Sequence, residues 1–100
     1  MALQPWRKAK VIRVVNETAD TKRFWLEVPE LSSFDFKPGQ FITLDLPVHE
    51  KPNKRWRSYS IASCPDGTNT FELVIVLDTR GAGTPWLWEN ATVGAELSFR

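Results

Sequence analysis

One hundred residues are enough for one compact module with a single small core, and a hydrophobic content of 42%, aromatics included, supplies the side chains to fill it. Thirteen basic against twelve acidic side chains leave a net charge of +1, which excludes a global field drawing the chain to nucleic acid or an anionic membrane; any anion recognition has to be local. A single cysteine, Cys64, rules out a disulfide within the chain and a cysteine-built metal cluster, so no metal site is expected and a reducing, cytoplasmic setting is the simpler reading.

Met1 to Lys10 carries Pro5 and mixed polar residues where a secretory leader needs an apolar run, and no segment has a membrane-spanning length. Lys8 to Glu17 then reads as a strand rich in β-branched residues, with Val11, Arg13 and Val15 opposed to Ile12, Val14 and Asn16. A polar turn over Asn16 to Asp20 leads into a second strand, Thr21 to Val28, with Phe24 and Leu26 on one face. Pro29 to Phe36 is a loop closed by Lys37-Pro38-Gly39, after which Gln40 to Leu46 forms a third strand whose Ile42, Leu44 and Leu46 should face the core.

Pro47 to Lys54, with two prolines and an isolated His49, marks an exposed loop. The fourth strand spans Trp56 to Ser63 and stops at the turn Cys64-Pro65-Asp66-Gly67. Phe71 to Leu77 is the clearest strand: Phe71, Leu73, Ile75 and Leu77 share one face, and Val74 and Val76 make the other apolar too, as though a strand, a helix or a ligand covers it. A short helix, Trp86 to Asn90, is expected with Thr84 as N-cap and Pro85 at its first position; one of Trp86 and Trp88 should pack on the body of the domain. Ala95 to Phe99 supplies the last strand. Short strands separated by Gly and Pro turns predict an all-β fold, a six-stranded antiparallel Greek-key β-barrel with one short helix, since closure removes edges that so small a sheet cannot hide.

The chemistry concentrates in Arg55-Trp56-Arg57-Ser58-Tyr59-Ser60-Ile61-Ala62-Ser63. Alternation on a strand puts Arg57 and Tyr59 on one side, where an anionic group can pair with the guanidinium while a flat ring lies on the phenol; a flavin nucleotide has both parts. A solvated strand arginine fits the spacing as well. Downstream, the glycines of Gly81-Ala82-Gly83-Thr84 let backbone N–H groups approach an anion at a helix start, as a phosphate cradle does, although a plain loop and cap has the same composition.

Arg57-Ser58-Tyr59-Ser60, preceded by Pro38-Gly39-Gln40-Phe41 and followed by Gly81-Ala82-Gly83-Thr84, resembles the Arg-x-Tyr-Ser pattern and flanking motifs of the flavin-binding barrel of the ferredoxin-NADP reductase family, over essentially the whole chain. The resemblance implies that FAD, with FMN as the alternative flavin, is held by Arg57, Ser58, Tyr59, Ser60, Ile61 and Ala62 on the fourth strand. It adds Val76 on the fifth strand and Gly81, Ala82, Gly83 and Thr84 in the glycine loop. Ser60 corresponds to a serine near the redox-active edge of the flavin and is the candidate catalytic residue, although alternation turns it away from Tyr59. Two departures concern the adenosine half of the site. Arg80 stands where the family often has a first glycine, and Val76 and Leu77 stand where it often has a basic residue. The implied activity is electron transfer between NAD(P)H and an acceptor, protein or small molecule. The nicotinamide cofactor would be bound by a C-terminal domain that should follow the last strand and is absent from this sequence, so the chain alone should hold flavin without completing the reaction.

A different class of function draws on Lys51, Lys54, Arg55, Trp56, Arg57 and Tyr59: basic residues interleaved with aromatics suit a small barrel that binds single-stranded nucleic acid. The near-neutral charge and the glycine loop count against it. Nothing positive in the sequence argues for a pure protein-interaction module built on exposed tryptophans.

Overall fold

A computed structural model describes residues 5–100; the first four residues of the Met1–Lys10 stretch weighed above for a leader lie outside the described residues. In chain order the elements are β1 (Arg7–Thr18), β2 (Thr21–Glu27), β3 (Phe41–Asp45), a 3-10 turn (Pro52–Lys54), β4 (Trp56–Ser60), β5 (Thr70–Val76), α1 (Gly83–Asn90) and β6 (Glu96–Phe99). All neighbouring strands are antiparallel, in the order β4-β3-β6-β1-β2-β5, with β6 inserted between β3 and β1 in Greek-key fashion. Among the described residues no helix is long and apolar enough to cross a membrane.

The predicted faces are the observed ones. Phe24 and Leu26 of β2, Ile42 and Leu44 of β3 with Leu46 beyond it, and Phe71, Leu73 and Ile75 of β5 are buried in one core with Leu97 and Phe99 of β6. Phe34, from the loop after β2, lies 5.3 Å from Phe71 and 5.7 Å from Phe99 between ring centroids, so this loop folds back over one end of the core.

Strand β1 departs from simple alternation. Val11 pairs with Leu26 and Arg13 with Trp25, so Ile12 has no partner and the strand bulges there. The bulge resets which side faces inward: Ala9 and Val11 are buried before it, Ile12 is exposed, and Val14 packs on the core after it.

Strand β4 ends at Ser60, earlier than the predicted Ser63, because the chain changes partners. Ile61 N–H still donates to Gln40 O of the β3 side (2.8 Å), whereas Ala62 N–H donates to Glu72 O of β5 (2.8 Å) and Glu72 N–H donates to Ser63 Oγ (3.0 Å). The expected closure of the barrel is therefore met at one corner, and the β4 and β5 edges are otherwise not joined in a ladder.

The helix also begins earlier than predicted, at Gly83, with Ala82 in the N-cap position and no side-chain cap. Thr84 is not the cap because its hydroxyl is recruited elsewhere: it donates to Asp78 O (3.0 Å) and accepts from Asp78 N–H (2.8 Å). Both Trp86 and Trp88 pack against the core, rather than one; Trp88 meets Phe24 edge-on at 6.1 Å.

Candidate functional site

The two edge strands form the frame. Bonds from Ile61 N–H to Gln40 O and from Leu46 N–H to Arg55 O set the alternation of the β3–β4 ladder, so the main-chain groups of Ser58 and Ser60 point away from β3. Bonds from Val28 N–H to Asn69 O and from Leu77 N–H to Asp20 O do the same for β5, whose Val74 and Val76 main-chain groups point away from β2. Two rows of free backbone donors and acceptors thus diverge from the corner where Ala62 meets Glu72.

Side chains follow the other axis. Arg57 and Tyr59 stand opposite Leu44 and Ile42, on the inward face, and both are half-buried; Ile61, next in that row, is 3% exposed. Ser58 and Ser60 stand opposite Thr43 and Phe41 on the outward face and are exposed, with Ser58 Oγ 3.2 Å from Thr43 Oγ1. The predicted separation of Ser60 from Tyr59 therefore holds for its side chain, while its backbone faces the open edge. Val76, at the end of β5, is 58% exposed and Val74 37%; no helix or strand of the described residues covers them.

The glycine loop comes to the arginine. Gly83 is buried, and a β-carbon on it would meet the Arg57 side chain at Nε (3.0 Å), Cγ (3.2 Å) and Cδ (3.4 Å). Glycine lets the start of α1 approach the arginine without displacing its side chain. Gly81 and Ala82 are exposed beside it. The first-turn N–H groups of α1 have no side-chain cap, and in that position they are donors suited to an anion.

Arg57 is also electrostatically free. Arg7 pairs with Glu30, Arg23 with Glu17 and Glu72, Arg55 with Asp45, and Arg80 with Asp78. Arg13 lies over Trp25, and Arg100 lies over Trp6 and Trp56. Arg57 has no carboxylate partner among the described residues; its Nη1 donates to the carbonyls of Lys54 (2.9 Å) and Trp56 (3.0 Å), which orient the group without neutralising it. Tyr59 feels both neighbours: burial raises its phenol above the ordinary range, and the Arg57 charge pulls it back.

Asp78 organises the loop, and sequence reasoning overlooked it. Besides its two bonds with Thr84, its carbonyl accepts from Gly81 N–H (3.2 Å) and its carboxylate from Arg80 N–H (3.0 Å). The signal was present in Asp78-Thr79-Arg80, a short polar triplet of the kind in which an aspartate bonds the main chain two residues on. Two surface depressions, of about 350 and 330 Å3, lie elsewhere, one beside Lys8 and Pro29 and the other beside Trp88 and Val93.

The residues named for nucleic acid are only partly available to it. Arg55 is tied to Asp45 through Nε (2.9 Å) and Nη2 (2.7 Å), and Trp56 lies under Arg100 and meets Trp6 at a tilt of 46°. Two of the six side chains named to attract backbone and stack bases, Arg55 and Trp56, are thus engaged within the protein.

An antiparallel Greek-key sheet with a free arginine, a phenol and a glycine-opened helix start at its open edge has the form of a nucleotide-cofactor module. The chain belongs to the oxidoreductase FAD-binding domain family, whose sequence model matches residues 8–100. It is 35% identical over 88 residues to the glycine betaine monooxygenase reductase subunit of Chromohalobacter salexigens, covering 88% of this chain and 23% of that protein. It is also 35% identical over 89 residues to the ferredoxin reductase component of the 3-ketosteroid-9-alpha-monooxygenase of Rhodococcus rhodochrous, covering 87% of this chain and 25% of that one. Among solved structures, the ferredoxin reductase of carbazole 1,9a-dioxygenase superposes with a TM-score of 0.81 at 29% identity, over 95% of this chain and 28% of that one. The chain thus spans about a quarter of the length of the relatives it matches.

Proposed function

We propose that this chain is the flavin-holding module of an NAD(P)H-dependent oxidoreductase, with FAD as its cofactor. The observation that carries the reading is the packing of Arg57 on Gly83, which puts an unpaired guanidinium beside an uncapped helix start. Arg57 pairs with a flavin phosphate, and the N–H groups of Gly83 and Thr84 face the same anion. The Thr84 hydroxyl has donated its hydrogen to Asp78, so its part is to hold the loop in shape. Tyr59 takes the ring on its exposed side, and Val76 covers part of the ligand from β5. Ser58 and Ser60 line the β4 edge with main-chain groups, Ala62, whose N–H is bonded to Glu72 O, closes its end and offers its carbonyl, and Ile61 supports it from the core.

Bound flavin accepts and releases the electrons; the chain's residues position it and limit water around it. Ser60, at the end of β4 with an exposed hydroxyl, is assigned to the redox-active edge of the ring. The nicotinamide cofactor binds outside this module, in a C-terminal domain of the intact protein, a reading supported by the greater length of the relatives. The names of those relatives, reductase components of monooxygenase and dioxygenase systems, support an acceptor of the oxygenase type, a ferredoxin-like or oxygenase protein. The single, exposed Cys64 supports a cytoplasmic setting.

The test is reconstitution. The purified chain mixed with FAD and passed through a desalting column should retain flavin absorbance, and Arg57→Ala should retain much less. Absence of uptake by the parent chain at any workable FAD concentration overturns the proposal.

A further inference from the structure

We propose that Arg80 is the second phosphate-reading cation of this site and the residue that makes it prefer a dinucleotide flavin to a mononucleotide one, an inference that rests on the flavin reading above. Arg57 supplies one positive charge, but a pyrophosphate bridge carries a negative charge on each of two phosphates. The Thr84 hydroxyl cannot donate to the second, because its hydrogen is given to Asp78 O at 3.0 Å. Arg80 stands three residues before Gly83 in the same loop, so its backbone is within about 10 Å of the Arg57 contact even if the loop were fully extended. A long guanidinium side chain can close that gap.

The present restraint on Arg80 is weak and local. Its Nε lies 3.1 Å from Asp78 Oδ1 and its Nη2 3.5 Å from Oδ2, and the side chain is 90% exposed, a setting in which an ion pair contributes little. A phosphate offers the guanidinium two parallel charge-assisted bonds in place of one short and one long. Releasing the side chain leaves the loop intact. Asp78 keeps its carboxylate bond to Arg80 N–H and its two main-chain bonds with Thr84. Arg80 can therefore pass from carboxylate to phosphate while the glycine cradle stays formed. A mononucleotide flavin ends at the phosphate that Arg57 reads, so it has nothing for Arg80 to hold.

The experiment titrates the 100-residue chain with FAD and, separately, with FMN, following flavin fluorescence, for the parent protein, Arg80→Gln and Arg80→Lys. Arg80→Gln should weaken FAD by about five- to thirtyfold and leave FMN within about twofold, and Arg80→Lys should restore part of the FAD affinity. FAD binding should also lose part of its salt dependence in Arg80→Gln. If both flavins weaken in the same proportion, or neither changes, Arg80 is an ordinary surface cation and the inference is wrong while the flavin reading stands. If the parent chain binds neither flavin, the flavin reading fails and this inference goes with it.

Discussion

The Arg57 side chain lies so close against the backbone of Gly83 that a β-carbon there would crowd it: Nε and Cγ would be 3.0 and 3.2 Å from one. Gly83 sits at the first position of α1, and its backbone is in no left-handed conformation, so alanine is compatible with the chain itself. The atoms it would meet belong to a flexible side chain that can move. Gly83→Ala should thus leave stability within about 1 kcal/mol of the parent, the helix preference of alanine offsetting the crowding. FAD affinity should nevertheless fall, by about five- to twentyfold, because the guanidinium is pushed off its position. A thermal melt paired with a fluorescence titration separates the two effects; parent-like FAD affinity in a folded Gly83→Ala protein would remove the contact from the site.

Arg57 itself gives the sharper contrast. A hydrogen bond to a charged group contributes about 1.5–3 kcal/mol, so Arg57→Ala should weaken FAD by roughly ten- to a hundredfold. Because Nη1 is also bonded to the carbonyls of Lys54 and Trp56, Arg57→Lys should not recover full affinity: an ammonium cannot hold the two carbonyls and a phosphate in the same planar arrangement. Equal affinities for the lysine variant and the parent would show that charge alone matters there.

Tyr59 separates stacking from hydrogen bonding. It is half-buried against the core, with its phenol raised by that burial. Tyr59→Phe keeps the ring and should change FAD affinity by less than about threefold. Tyr59→Ala removes an aromatic contact worth about 0.5–1.5 kcal/mol beyond its buried area, together with packing, and should both weaken FAD and lower the melting temperature. A large loss of affinity in the phenylalanine variant would mean that the hydroxyl, rather than the ring face, touches the ligand.

Legibility in the sequence followed the range of the interactions. Alternation on β2, β3 and β5 is a local signal, and it located Phe24, Ile42, Leu44, Phe71 and Leu73 in the core as observed. The β1 bulge was not legible, because an unpaired Ile12 looks like any other β-branched residue until its neighbours' partners across the ladder are known. Thr84 carried the composition of an N-cap, but the main chain of Asp78 competed for the same hydroxyl and won. The motif order suggested that Arg57 and the glycine loop share a site; only the fold shows Gly83 in contact with the arginine. The stack of Arg100 on Trp6 (4.3 Å) and Trp56 (5.0 Å) joins the two ends of the chain to β4, and no sequence period announces a contact of that span.

The Asp45–Arg55 pair predicts a pH dependence of stability. The carboxylate of Asp45 is held below its usual range first by hydrogen bonding to Arg55, which outweighs the opposing effect of burial, and further by the charges of Arg55, Lys8 and Arg100. A carboxylate depressed in the folded state contributes stability that is fully present above its unfolded pKa, about 3.9, and is lost as pH falls through the lower folded value. The pair is partly exposed, at 20% for Asp45 and 34% for Arg55, so Asp45→Asn should cost about 0.5–1 kcal/mol at neutral pH. Urea titrations of parent and variant should show a constant gap between about pH 7 and pH 5 that shrinks by about pH 3, as the parent's Asp45 takes up a proton. A gap as wide at the acidic end as at neutrality would mean that Asp45 stabilises the β3–β4 edge through shape and neutral hydrogen bonding, with its charge contributing nothing.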